Sequence, residues 1–284
     1  MKKYLLLLTA LFFTGCLNVI GIGETPRQDD TWQQPKDEKV VQSKEEISKN
    51  AIEILTPKCQ NGDAEACNDL GVNYELVRDY ENAFANYKKA CEAKVQLGCS
   101  NLGTLYENGL GVKRDPKKAV EIYKDSCNSG GTQACYHLGN AYRKGEIVKQ
   151  DYYLAMEAYT NACNAGLATA CSNLGQIYEQ GLVEEQKDLE KALKLYKLAC
   201  DNGDGVGCYN EAMGLKSYIE SENLKTHKID RSKAEARVLR LLAKSCELEY
   251  AQSCFLLAKL SGDEAKADAL YKRACQLGKC VDKK

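Results

Sequence analysis

The stretch CSNLGTLYENGLGVKRDPKKAVEIYKDSC, residues 99–127, decides the fold. It opens and closes on cysteine. Leu102, Gly103 and Tyr106 stand three, four and seven residues after Cys99, and Ala119 and Tyr123 stand eight and four residues before Cys127. Offsets of three, four, seven and eight stack side chains on one face of an α-helix. The stretch therefore reads as helix A from about Gln96 to Asn108, a Gly-Leu-Gly-Val turn beginning at Gly109, and helix B from about Pro116 to Cys127. Asp115 followed by Pro116 is a start signal: aspartate caps free N–H groups and proline tolerates the first helical position. Gly103 at the crossing point lets two backbones approach, and tyrosine fills the space beside it.

The same signature recurs along the chain. Six cysteine pairs have a spacing of eight: Cys59 and Cys67, Cys91 and Cys99, Cys127 and Cys135, Cys163 and Cys171, Cys200 and Cys208, Cys246 and Cys254. A shorter pair, Cys275 and Cys280, closes the series. Leu follows the second cysteine by three at Leu70, Leu102, Leu138, Leu174 and Leu257; Gly comes next at Gly71, Gly103, Gly139 and Gly175, and Tyr at Tyr74, Tyr106, Tyr142 and Tyr178. Ala precedes the first cysteine by eight at Ala83, Ala119, Ala155, Ala192 and Ala267, and Tyr by four at Tyr87, Tyr123, Tyr159, Tyr196 and Tyr271. The period is near 36 residues, which signals stacked helix pairs instead of one globular core. Nine of the 17 tyrosines sit at just two repeat positions and read as core.

Of 284 residues, 15 are Cys, only two are His and one is Trp. Lys and Arg total 39 against 40 Asp and Glu, so no global charge draws the chain to nucleic acid. Met1-Lys2-Lys3, the apolar run Tyr4 to Phe13 and Thr14-Gly15-Cys16 fit a secretory signal too short to span a bilayer. The small pair before Cys16 resembles a bacterial lipobox, in which Cys16 is diacylated; Phe13 departs from that pattern. The alternative is ordinary cleavage nearby with Cys16 a spare thiol. The expected organisation is a lipoprotein signal peptide over 1–15, a lipid-anchored flexible tether over 16–42, where Pro26, Trp32 and Pro35 fall in no helical period, and a solenoid of about six helix pairs over 43–284.

The repeated pattern CSNLGTLYENGLGV with DPKKAVEIYKDSC resembles the Sel-one-like repeat, a relative of the tetratricopeptide repeat, and the eight-residue cysteine spacing resembles the Helicobacter cysteine-rich protein (Hcp) branch. The resemblance covers about Ser48 to Cys280 and implies an all-α fold, an α/α superhelical solenoid stapled by disulfides. Position supports the staples: the first cysteine of a pair ends helix B and the second begins the next helix A across a tight turn, within disulfide reach. Regular local spacing selects nearest neighbours among the fourteen thiols. Closing a nine-residue loop contributes about 2.5 kcal/mol in the chain-entropy model. Zinc-type spacings are absent and the two histidines lie far apart, so no metal and no cofactor is expected. His137 replaces Asp69, Asn101, Asn173 or Asn210 of other units and is expected to make a structural hydrogen bond, whereas His227 lies in a loop, free to titrate.

Two units depart from the pattern. Pro57 is expected to kink or end the first helix. In the unit from Cys200 to Cys246, Glu211 stands at the Leu position, which suggests a local register shift because a buried carboxylate is costly. Extra residues over 220–236 read as a loop suited to a feature particular to this protein.

If helix A faces inward, residues one, five and eight after the second cysteine line a concave wall: Asn68, Val72 and Glu75; Ser100, Thr104 and Glu107; Tyr136, Asn140 and Arg143; Ser172, Gln176 and Glu179; then Tyr209, Met213, Phe255 and Lys259. This mixed lining suits an extended peptide or a glycan-like ligand better than a phosphate chain. The expected function is an extracytoplasmic scaffold binding a protein or peptide partner, anchored in the cell envelope through Cys16. By resemblance to enterobacterial sorting, Leu17 directs it to the outer membrane. The family resemblance implies two alternatives: a penicillin-binding protein or weak β-lactamase acting on β-lactam or peptidoglycan-like ligands, or a secreted protein acting on host cells. No catalytic residue is assigned, because Ser-x-x-Lys, Lys-Thr-Gly and Ser-Asp-Asn motifs are absent; the residues lean against an enzyme.

Overall fold

The computed structural model describes residues 38–183, 185–220 and 231–280. The signal segment, Cys16, Leu17, most of the tether and His227 lie outside the described residues. Within them the chain is all-α and shows no strand. Helix α1 (Glu38–Gln60) is followed by six pairs: α2 (Ala64–Leu76) with α3 (Tyr80–Glu92), α4 (Gln96–Asn108) with α5 (Pro116–Asn128), α6 (Thr132–Lys144) with α7 (Tyr152–Asn164), α8 (Ala168–Gln180) with α9 (Leu189–Asp201), α10 (Gly205–Glu220) with α11 (Arg231–Glu247), and α12 (Ala251–Leu260) with α13 (Glu264–Gln276). The array belongs to one compact unit beginning at Lys44.

Local chemistry sets the ends of these helices. Asp79, Asp115, Asp151, Asp188 and Asp263 accept first-turn N–H groups of α3, α5, α7, α9 and α13. Helices α4, α6 and α8 stop at Gly109, Gly145 and Gly181, whose φ angles of 73°, 72° and 67° lie in the left-handed region that glycine enters without a Cβ penalty. By contrast α4, α6, α8 and α12 begin at Val95, Gly131, Leu167 and Tyr250 with no side-chain cap. A covalent bond anchors those starts. Disulfides join the six regular pairs with Cα atoms 4.4 to 4.8 Å apart, and a seventh joins Cys275 to Cys280.

The core is a repeated interlock. Tyr87, Tyr123, Tyr159 and Tyr196 are at most 1 % exposed. Each lies flat on the glycine of its partner helix: a Cβ on Gly71 would come within 2.6 Å of the Tyr87 ring, and one on Gly139 within 2.7 Å of the Tyr159 ring. Ala83, Ala119, Ala155 and Ala192 are fully buried beside them. Small residues thus set the helix separation and the ring fills it, burying roughly 150–250 Å² per tyrosine.

Four expectations need correction. Helix α1 runs through Pro57 to Gln60, because the proline sits in the last turn, loses only one backbone bond, and the helix end is tied by Cys59–Cys67. That helix also starts at Glu38, inside the stretch expected to be tether. Glu211 shifts no register: it occupies the inward Leu position at 3 % exposure beside buried Ala212, and Arg237 of α11 meets it at 2.5 Å. The stretch 220–236 is not loop at its ends, since α10 runs to Glu220 and α11 already begins at Arg231; residues 221–230 lie outside the described residues.

Candidate binding groove

Helices α2 and α4, α4 and α6, and α8 and α10 come together directly, while no pair of successive B helices does so to the same degree. Crowding along the A-helix row puts that row on the inner wall of the curve. Of the expected wall residues, those five and eight after the second cysteine are partly or fully open: Thr104, Asn140, Gln176, Met213, Glu75, Glu107, Arg143 and Glu179 are half-buried, and Val72 and Lys259 are exposed.

The residue one after the second cysteine behaves differently. Asn68, Ser100 and Ser172 are 2 % exposed, so they leave the wall and enter the joint between units. The Asn68 amide oxygen accepts from Asn101 at 3.1 Å, and the Ser172 hydroxyl donates to Asp204 of the next unit. Ser100 donates to the Gln96 carbonyl at 3.2 Å. Tyr136, Tyr209 and Phe255 at the same position stay half-exposed. Size here tracks the wall: α2, α4 and α8, with Asn68, Ser100 and Ser172, touch the next A helix, whereas α6 and α10, with Tyr136 and Tyr209, do not close in the same way on α8 and α12. The aromatic side chains mark the joints where successive A helices approach less closely.

The buried tyrosines reach that wall with their hydroxyls, a link that sequence reasoning missed by assigning them to the core alone. Tyr87 donates to Glu75 at 2.8 Å, Tyr123 to Glu107 at 2.9 Å and Tyr196 to Glu179 at 2.7 Å. Tyr123 also lies 3.2 Å from the Thr104 hydroxyl. The paired recurrence of Tyr four before the first cysteine and Glu eight after the second was the available signal. Burial, reinforced by the adjacent carboxylate, raises the pKa of Tyr87, Tyr123 and Tyr196 well above the ordinary phenol value.

The third unit inverts this arrangement. Arg143 replaces the glutamate and donates through Nε to the Tyr159 hydroxyl at 3.2 Å; Tyr159 in turn donates to Asn140 at 2.7 Å. Burial pushes the Tyr159 phenol up to about 12, although Arg143 opposes the rise. Tyr136 packs with ring centroids 6.2 Å from Tyr159 and 5.7 Å from His137. His137 lies face to face on Tyr123 at 4.9 Å, a stack where a hydrogen bond was expected, and burial lowers its pKa to about 4. Among the described residues no three His, Cys, Asp or Glu side chains converge as a metal set.

Comparison with known proteins fits this geometry. The family model described as the Sel1 repeat matches residues 64–95, 96–131, 132–167, 168–204 and 251–279, passing over the irregular fifth unit. Beta-lactamase HcpA of Helicobacter pylori is 42% identical over 53 residues, covering 19% of this chain and 21% of that protein. Putative beta-lactamase HcpD of the same species is 46% identical over 37 residues, 13% of this chain and 12% of that one. The matches thus span about a fifth or less of these relatives. A Sel1 repeat protein from Oxalobacter formigenes superposes with a TM-score of 0.69 at 22% identity, over 83% of this chain and 99% of its own, which shows a shared fold. With five repeats matched over more than half of its length and the paired cysteines joined, the chain belongs to the Sel1 repeat family and is Hcp-like.

Proposed function

We propose that this protein is an extracytoplasmic scaffold that binds a protein or peptide partner along its inner wall. One observation carries the reading: the residues that recur, the Gly–Tyr interlock of the first four units and the cysteine pairs, are structural, while the open wall positions change chemistry from unit to unit. A surface that varies over a constant frame is what an extended, sequence-dependent ligand needs. Seven disulfides favour an oxidising compartment. The described helices include none long and apolar enough to cross a membrane. The attachment we propose is the diacyl group on Cys16, in the outer membrane by the sorting argument from Leu17. Mass spectrometry of the mature N-terminus checks it, and an unlipidated, cleaved chain would instead favour release and action on host cells. For the groove, capture from an envelope extract with the oxidised full chain should yield a protein partner that is lost when Tyr136, Arg143 and Tyr209 are changed to Ala. Unchanged capture would argue against the inner wall.

A second reading, β-lactam binding or hydrolysis, is favoured by the local identity to HcpA and HcpD. Turnover of a β-lactam that follows the oxidised protein through purification would establish it at the expense of the pure scaffold.

A further inference from the structure

The inner wall carries a charge pattern with one reversal. Glu107 on α4 and Glu179 on α8 occupy the same repeat position as Arg143 on α6 between them. Each glutamate spends one oxygen, Oε2, on a tyrosine hydroxyl, and among the described residues its other oxygen has no partner. Arg143 spends only Nε, on Tyr159, and its two terminal nitrogens have no partner among the described residues. A half-buried guanidinium with its fork open is suited to two parallel bonds with one carboxylate. The same unit holds Tyr136, half-exposed and packed beside Tyr159, where α6 approaches α8 less closely than it approaches α4. The reversed charge and the looser joint therefore coincide.

We infer that the wall takes an extended peptide by an acidic side chain seated on Arg143 at the joint between α6 and α8, with basic side chains of the same peptide reaching Glu107 and Glu179. The inference rests on the groove reading and specifies its ligand. Packed helices lie roughly 8–10 Å apart, and an extended chain rises about 3.3 Å per residue. The acidic residue is therefore flanked by basic ones about three residues to either side. Because carboxylates lie on both sides of Arg143, a second acid at either neighbouring position is repelled, and the pattern is read by rejection as well as attraction. An interior side chain fits better than a chain terminus, since the wall continues in both directions.

The test uses the full, oxidised chain and three labelled peptides with acetylated and amidated ends: one with a central Glu and Lys three residues to each side, its charge-inverted counterpart, and a neutral Gln version. Fluorescence anisotropy at low salt should show the first binding at least about 10-fold tighter than the others. Arg143→Glu gives the third unit the residue of its neighbours, keeps an acceptor for Tyr159, and should weaken the first peptide about 10- to 100-fold while improving the inverted one. Arg143→Gln should give a smaller loss. Equal binding of the three peptides, or an unchanged preference in Arg143→Glu with its melting temperature preserved, overturns the inference. If Gln176→Trp then still blocks binding, the groove reading survives without Arg143. If no peptide binds the wild-type chain, the inference falls and the groove reading is judged by the envelope capture.

Discussion

Single atoms decide the interlock. A methyl group added at Gly139 would meet the Tyr159 ring at 2.7 Å, and the ring, enclosed on all sides, has nowhere to move. Gly139→Ala should therefore lower stability by roughly 1–3 kcal/mol through overpacking, despite the gain of about 1 kcal/mol that alanine brings to a helix interior. Gly262→Ala, which meets nothing within 4 Å, should change the urea midpoint by less than about 0.5 kcal/mol equivalent. His137 supplies a pH dependence. Burial lowers its pKa from 6.5 to about 4, so the unfolded chain binds the proton more readily over that interval. Its contribution is fully present above pH 6.5 and is lost as pH falls through about 4, with a ceiling of about 3 kcal/mol. Thermal melts at pH 7 and 4.5 should fall further for wild type than for His137→Asn, which carries the residue of three other units; equal falls would mean that another group governs the acid limb.

At the scale of helices, two devices replace ordinary signals. The disulfide substitutes for a cap at the start of α4, α6, α8 and α12, so Cys127→Ala with Cys135→Ala should cost about 2.5 kcal/mol and increase exchange of the first α6 amides. Removing Cys275 and Cys280 should affect only α13, which has no following unit among the described residues to transmit the change. The second device is the ion pair of the fifth unit. Glu211 is 3 % exposed but Arg237 is 46 % exposed, so water screens the cation and the pair stabilises less than a fully buried one. Arg237→Ala should nevertheless cost about 2 kcal/mol by leaving the carboxylate buried alone. Glu211→Leu in the same chain restores the repeat residue and should recover most of that loss in chemical denaturation, because leucine needs no partner. The sequence signalled the anomaly at Glu211, but the compensating charge lies 26 residues away on another helix.

Across the whole molecule, packing is uneven. One continuous core joins α5 through α9, whereas α10 to α13 are served by two smaller clusters. In an array whose units touch only their neighbours, stability follows local interfaces. Hydrogen exchange should therefore be slowest in α5 to α9 and faster in α11 to α13, and uniform protection would contradict this division. The sequence by itself determined the helix pairs, their boundaries within a residue in the second unit, the cysteine partners and the inward Ala, Leu, Gly and Tyr positions, because these depend on helical period and short chain separation. It also placed Arg143, Glu107 and Glu179 at one repeat position. Only the tertiary structure decided which expected wall residues remain open, since that depends on side-chain size against a neighbouring unit about 36 residues away: serine and asparagine sink into the joint, and tyrosine stays half-exposed. The same long-range packing carried the tyrosine hydroxyls to the wall and turned one arginine into an open fork within a row of carboxylates.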